Sequence, residues 1–128
     1  MKHHLYNMIA NIKNGQLAKK AYINQVQKKT CEAVLNILWN EGFISGYKIS
    51  KGKPNVLKIF LRYKNTKPVI NTINVLSKPS LKVYYSLKQL WKLDSSKGII
   101  IISTNKGFMS LNECKQRKLG GEPIIIVK

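Results

Sequence analysis

Five consecutive residues, Ser103-Thr104-Asn105-Lys106-Gly107, concentrate the groups best suited to noncovalent chemistry: three small polar side chains, one cation and one glycine. They follow the apolar run Ile99 to Ile102, a strand-length stretch that would hold them rigidly at the end of a sheet. Hydroxyls and a side-chain amide can donate to and accept from riboses and base edges. Lys106 can meet a phosphate, and Gly107 lets backbone come close. An ordinary polar turn between two elements has the same composition, so residue types alone leave both readings open.

Covalent and acid–base chemistry find little material. The five acids, Glu32, Glu41, Asp94, Glu113 and Glu122, form no spaced pair, and the chain has no glycine-rich phosphate loop. Cys31 and Cys114 stand 83 positions apart, neither in a C-x-x-C pair, and read as small core residues in a reducing compartment. His3 and His4 are adjacent and lack a partner at metal-ligand spacing. The expectation is therefore no enzymatic activity, no cofactor, no metal and no small-molecule substrate. No segment reaches the roughly 20 apolar residues of a membrane span, so no membrane partner is expected. Arginine first appears at Arg62 and the start reads as a folding helix, which predicts that this chain has no cleavable transit peptide.

Charge narrows the partner. Among 128 residues, 23 Lys+Arg face five acids, a formal net charge of +18. Self-repulsion on that scale is most easily tolerated when a polyanion neutralises it. Lys, Ile and Asn number 21, 16 and 12, a bias that an AT-rich genome imposes, so any single lysine means little. Only Arg62 and Arg117 supply guanidinium groups, the usual bidentate readers of guanine edges. Lysine acts more as a point charge on phosphate, so composition favours backbone binding.

The elements that must position these groups are legible in the apolar spacing. Leu5, Met8, Ile9 and Ile12 mark one face of a first helix, which Asn14-Gly15 should stop. Ala21 to Val26 reads as a short strand. Cys31, Val34, Leu35 and Leu38 mark a second helix, ended by Gly42 as its C′ residue. Phe43 to Lys51 and Val56 to Tyr63 form a strand pair around Gly52-Lys53-Pro54-Asn55, and Val69 to Leu76 is a third strand candidate. Lys78-Pro79-Ser80 breaks the chain. Leu81 to Tyr85 then reads as a strand, Ser86 to Leu93 as a helical turn or two, and Ile99 to Ser103 as a buried strand. Ser110-Leu111-Asn112-Glu113 fits a capping box opening a helix over Leu111 to Lys118, with Gly120-Gly121 ending it and Glu122 to Val127 as a last strand. Trp39 and Trp91 are expected as core or lobe-interface anchors. The fold class is α+β in two small lobes: residues 1–76 form an αβαββ lobe, and residues 77–128 form a mostly β lobe with short helices.

Several stretches together resemble small-subunit ribosomal protein eight, the universal bacterial-type family. Ser103 to Ser110 is similar to its C-terminal signature, and Leu119-Gly120-Gly121-Glu122 to its closing element. Ile12-Lys13-Asn14-Gly15, Glu41-Gly42-Phe43-Ile44 and Ser77 to Tyr84 fall in the family's order and spacing. The resemblance covers the whole chain. It departs at Asn105, where the family usually has Ser, at Ser80, where it usually has Gly, and in an isoleucine-rich tail before Lys128. The resemblance implies direct binding to the central domain of small-subunit rRNA, at an irregular helix, early in assembly. It makes Ser103, Thr104 and Lys106 the principal contacts, flanked by Asn105 and Gly107. Tyr84 would touch the same RNA, Glu122 would help set the loop, and Asn11, Lys13 and Asn14 would meet the backbone from the first helix.

The expected partners are thus small-subunit rRNA and neighbouring small-subunit ribosomal proteins. The compositional bias points to an organelle-encoded member, in the mitochondrion first and a plastid or AT-rich bacterium next. A general basic nucleic-acid-binding protein, or a transient ribosome assembly factor, is the alternative.

Overall fold

The first helix, α1 (His3–Leu17), buries Leu5, Met8, Ile9 and Ile12 along one stripe, as their spacing predicts. It does not stop at Asn14-Gly15. A Cβ on Gly15 would lie 2.6 Å from Ile23 Cγ2 and 3.1 Å from Leu61 Cδ1, so the glycine permits a close crossing of helix and sheet. That contact outweighs the roughly 1 kcal/mol that glycine costs a helix interior. Termination comes later, at Lys19 in the left-handed region (φ 55°), where Lys19 N–H donates to Gln16 O and Lys20 N–H to Gly15 O. This chain of two bonds is a Schellman closure with lysine in the place glycine usually takes.

The described residues are 3–76, 84–93 and 98–128 of this computed structural model. They divide into two compact units, Met1–Asn71 and Thr72–Lys128. The first continues from α1 through β1 (Tyr22–Val26), α2 (Lys29–Asn40), β2 (Ile44–Ser50) and β3 (Val56–Leu61). These are the expected αβαββ elements. The sheet order is β1-β3-β2, antiparallel throughout, and Ile23, Leu57, Ile59 and Leu61 face the helices. Gly42, at φ 79°, ends α2 as expected, with Phe43 N–H donating to Leu38 O and Gly42 N–H to Trp39 O. A two-residue hairpin pairs β4 (Tyr63–Lys64) with β5 (Lys67–Pro68), turning through Asn65 and Thr66, both at positive φ.

The second unit contains β6 (Ile73–Val75), α3 (Leu87–Trp91), β7 (Ile99–Thr104), β8 (Gly107–Ser110), α4 (Leu111–Arg117) and β9 (Glu122–Val127). Its sheet runs β6-β9-β7-β8, all antiparallel. The third strand candidate therefore pairs with the last strand of the chain, not with the N-terminal sheet. Its partner lies 50 or more positions downstream in sequence, Ile73 opposite Val127 and Val75 opposite Ile125, which no local pattern reveals. Leu90, Ile100, Ile102, Met109, Leu111 and Cys114 pack as one cluster under α3 and α4. Residues 77–83 and 94–97 lie outside the described residues, and with them most of the strand expected over Leu81 to Tyr85.

Three local expectations change. Ser110 Oγ accepts from Glu113 N–H at 3.3 Å, but Glu113 turns away from the cap to pair with Arg117 at 3.3 Å. The reciprocal capping box forms instead at Ser86 and Gln89, where each side chain accepts from the other's backbone N–H. The end of α4 is held by Lys118 in the left-handed region (φ 58°), so Gly120-Gly121 serves another purpose. Trp39 and Trp91 are 50% and 59% exposed, so neither is a core anchor. Lys115 Nζ sits 5.0 Å from the Trp91 ring, and Trp39 meets Tyr47 edge to face at 5.9 Å.

Both thiols are free and fully buried. Burial raises both above the ordinary thiol range, Cys114 to about 11. At pH 8 about one Cys114 in a thousand is then thiolate, the reactive form. Iodoacetamide should therefore label neither cysteine appreciably in the native protein and both readily in denaturant. Native labelling at the denatured rate, read by mass spectrometry, would contradict this burial.

Candidate nucleic-acid interface

The loop is the tip of the β7–β8 hairpin. β7 runs buried through Ile100, Ile101 and Ile102, and emerges at half-buried Ser103 and Thr104. Asn105 and Lys106 form the exposed tip, and Gly107 begins the return strand at φ 107°, a conformation open mainly to glycine. Thr104 closes the turn. Its Oγ1 donates to Gly107 O at 2.7 Å and accepts from Lys106 N–H at 3.1 Å. The hydroxyl's single proton is thus spent within the loop, leaving one lone pair outward. Lys106 projects from a backbone that its neighbour's side chain holds in place.

Consecutive strand residues alternate faces, and this divides the sequence motif. Thr104 shares the face of Ile102 and Met109, above α3 and α4. Ser103 shares the opposite face with its register partners Phe108 and Glu122. A bulge makes the second pairing. Ile101 stands opposite Ile125, yet Ile102 stands opposite Pro123, so β9 contains one extra residue, Ile124. A bulge also suits a proline within a paired strand. Without it, Pro123 would oppose Ser103.

Gly120 and Gly121 bring the remaining residues in. Tyr85 exchanges both backbone hydrogen bonds with Gly121, at 2.8 and 2.9 Å. A Cβ on Gly120 would lie 2.7 Å from the Tyr84 hydroxyl, and a Cβ on Gly121 would lie 2.5 Å from Ser103 O and 3.0 Å from Thr104 Cγ2. Two side-chain-free residues therefore let the Tyr84 segment and the end of β7 approach the same point. Tyr84 stays 69% exposed there. The sequence motif signalled that glycine was needed at both positions, but not that close packing was the reason.

The structure gathers Tyr84, Ser103 to Gly107 and Glu122 into one rim of the second unit. Asn11, Lys13 and Asn14 belong to the first unit. Asn11 Nδ2 donates to Asn24 O at 2.9 Å and to Gln25 Oε1 at 3.2 Å, tying α1 to β1. Its amide protons are therefore engaged within the protein, while Lys13 and Asn14 are exposed. Chemically the rim offers hydroxyls, an amide, one ammonium, a phenol and one carboxylate, a set that binds without bond-making.

Comparison with known proteins bears on what such a rim is. A model of the family described as ribosomal protein S8 matches residues 3–127. The chain is 36% identical over 124 residues to the small ribosomal subunit protein uS8 of Alcanivorax borkumensis, covering 97% of this chain and 95% of that one. It is 38% identical over 128 residues to the protein of the same name from Wigglesworthia glossinidia brevipalpis, and 42% identical over 127 residues to that of Baumannia cicadellinicola. These cover 100% and 97% of this chain, and 98% and 96% of theirs.

Proposed function

The chain belongs to the ribosomal protein S8 family, a structural and non-enzymatic part of the small ribosomal subunit, and from that premise we propose that it binds the central domain of small-subunit rRNA directly and supports its assembly. The observation that most favours direct binding is the hairpin tip. A hydroxyl-locked turn presents Lys106 and Asn105 beside Ser103, with exposed Tyr84 across the glycine pair. Such a rim suits the wide, shallow minor groove of an RNA helix, where 2′-hydroxyls and base edges are within reach. Lys106 meets a phosphate, Ser103 and Asn105 exchange hydrogen bonds with riboses and bases, and Tyr84 lies flat against an unstacked base. The Glu122 carboxylate accepts from a 2′-hydroxyl or an amino group, since a phosphate would repel it. Lys13 and Asn14 add backbone contacts from the first unit, and Asn11 supports them by fixing α1 on β1.

The net charge of +18 supplies affinity that any RNA would share, and the rim supplies the preference. On the Lys-Ile-Asn bias we favour an organelle ribosome, mitochondrial first, with a plastid or an AT-rich bacterium next; the relatives named above are bacterial. Neighbouring small-subunit proteins complete its partners.

Sequencing RNA crosslinked to the purified protein tests the target, and Lys106→Ala tests the rim. The variant should fold normally and bind central-domain rRNA about tenfold more weakly, the share of one charge-assisted hydrogen bond. Its affinity for an unrelated duplex should fall less. Binding that declines equally on every RNA, or not at all, would remove the tip from the interface.

A further inference from the structure

The outward face of the N-terminal sheet presents an arrangement that the rim does not use. Ile23, Leu57 and Ile59 point toward the helices, so Tyr22, Lys58, Phe60 and Lys48 point away. Tyr22 and Phe60 are register partners with ring centroids 6.3 Å apart, and Tyr22 is 44% exposed. Lys58 Nζ lies 4.0 Å from the Tyr22 centroid and 5.6 Å from that of Phe60, and Lys48 Nζ lies 5.9 Å from Phe60.

Lys48 and Lys58 stand directly opposite each other, a pairing of like charges that weakens a sheet. None of β1, β2 and β3 contains an acidic residue. The ammonium groups rest over aromatic faces, which attract cations without neutralising them. An anion between the two lysines would relieve the repulsion. Rings flanked by unneutralised lysines match a ligand that joins flat π-faces to phosphates at short intervals. Duplexes hide their base faces, so the ligand is unpaired.

We propose that this sheet face is a second RNA surface, stacking two bases of a single-stranded segment on Tyr22 and Phe60 while Lys48 and Lys58 meet the flanking phosphates. Each lysine leaves its ring as a base arrives, and its four-carbon stem reaches outward to the backbone. Recognition is tolerant of sequence, because every base has a π-face. This surface depends on the reading above only for the class of partner, and not on the hairpin tip.

The test is fluorescence anisotropy with labelled octauridylate and the full-length chain at several salt concentrations. Tyr22→Leu combined with Phe60→Leu keeps apolar bulk and removes both rings. It should weaken binding roughly tenfold per ring, with circular dichroism and melting unchanged. Tyr22→Phe should bind normally. Lys48→Gln with Lys58→Gln should weaken binding and reduce the salt slope by about 0.7 per lysine. Should the double leucine variant melt early, Tyr22→Leu alone reads the same effect, since its ring is exposed on an edge strand. A folded leucine variant that binds octauridylate within twofold of wild type overturns the proposal. So does loss confined to the lysine variants, which would make the face a charge patch. A leucine variant that binds octauridylate normally but drops out of assembled subunits would assign the face to a protein neighbour, and also overturns it. The irregular rRNA helix, on which Lys106→Ala is read, should be bound normally by the leucine pair, so the two surfaces fail separately.

Discussion

Gly121→Ala should destabilise the second unit by about 3 kcal/mol, the upper part of the range for overpacking a close contact. The added methyl would lie 2.5 Å from Ser103 O, 2.7 Å from Ile102 Cγ2 and 3.0 Å from Thr104 Cγ2. Ser103 O is backbone within β7 and cannot retreat without disturbing the ladder to β9. The melting transition of this unit should fall by on the order of 15 °C. Affinity for central-domain rRNA should fall with it, although no polar group has been removed. Gly107→Ala is the matched control. A Cβ there meets nothing within 4 Å, so only the strain of φ 107° remains, about 1–2 kcal/mol. Equal melting points for Gly121→Ala and wild type would mean that Gly121 and β7 do not approach as described.

The second large effect concerns Thr104. Valine keeps its shape and deletes the hydroxyl that joins Gly107 O to Lys106 N–H. Both partners are exposed, so water replaces the lost bonds and stability should hardly change. Binding should change far more. The tip residues must then be ordered at the moment of association, at roughly 0.5–1.5 kcal/mol per side chain, and any contact made by the hydroxyl is lost as well. Together these predict about a hundredfold loss on central-domain rRNA, and little loss on an unrelated duplex. Thr104→Ser should restore most of it. Ser103→Ala, on the opposite face, should lose only one contact, about tenfold. Isotherms on both RNAs decide the matter. A valine variant no weaker than Ser103→Ala would show that the tip needs no clamp.

What sequence made legible, and what it hid, follows from the range of each cause. The faces of α1 and α2, the glycine stop at Gly42 and the alternation along β3 are local, and each appears where residue spacing puts it. Gly15 misled because its partners, Ile23 and Leu61, come from strands packed across the helix; a helix glycine reads as a stop unless the crossing is known. Gly120 and Gly121 misled for the same reason. Ile73 to Val75 was recognisable as strand but not as a neighbour of β9. Ser103 and Thr104 looked like one cluster, and only strand alternation separates their faces. That rule was available in the sequence. Tyr84 and Glu122 had no signal beyond resemblance, since a lone tyrosine and a lone carboxylate fit many surfaces. The pairing of Tyr22 with Phe60 needed the register of β1 on β3, which no spacing within either strand encodes.

The bulge at Ile124 has a bearing on length. On one side of it Ile125 answers Ile101, and on the other Glu122 answers Ser103, with the two registers out of step by one residue. The core end of β9 and the end beside Ser103 are therefore aligned independently. A deletion at Ile124 would regularise the strand and leave both alignments in place, at the cost of one fully buried side chain. A deletion between Ile125 and Val127 would instead shift the core end against β6 and β7. Among relatives of different lengths, gaps within this strand should fall at the bulge.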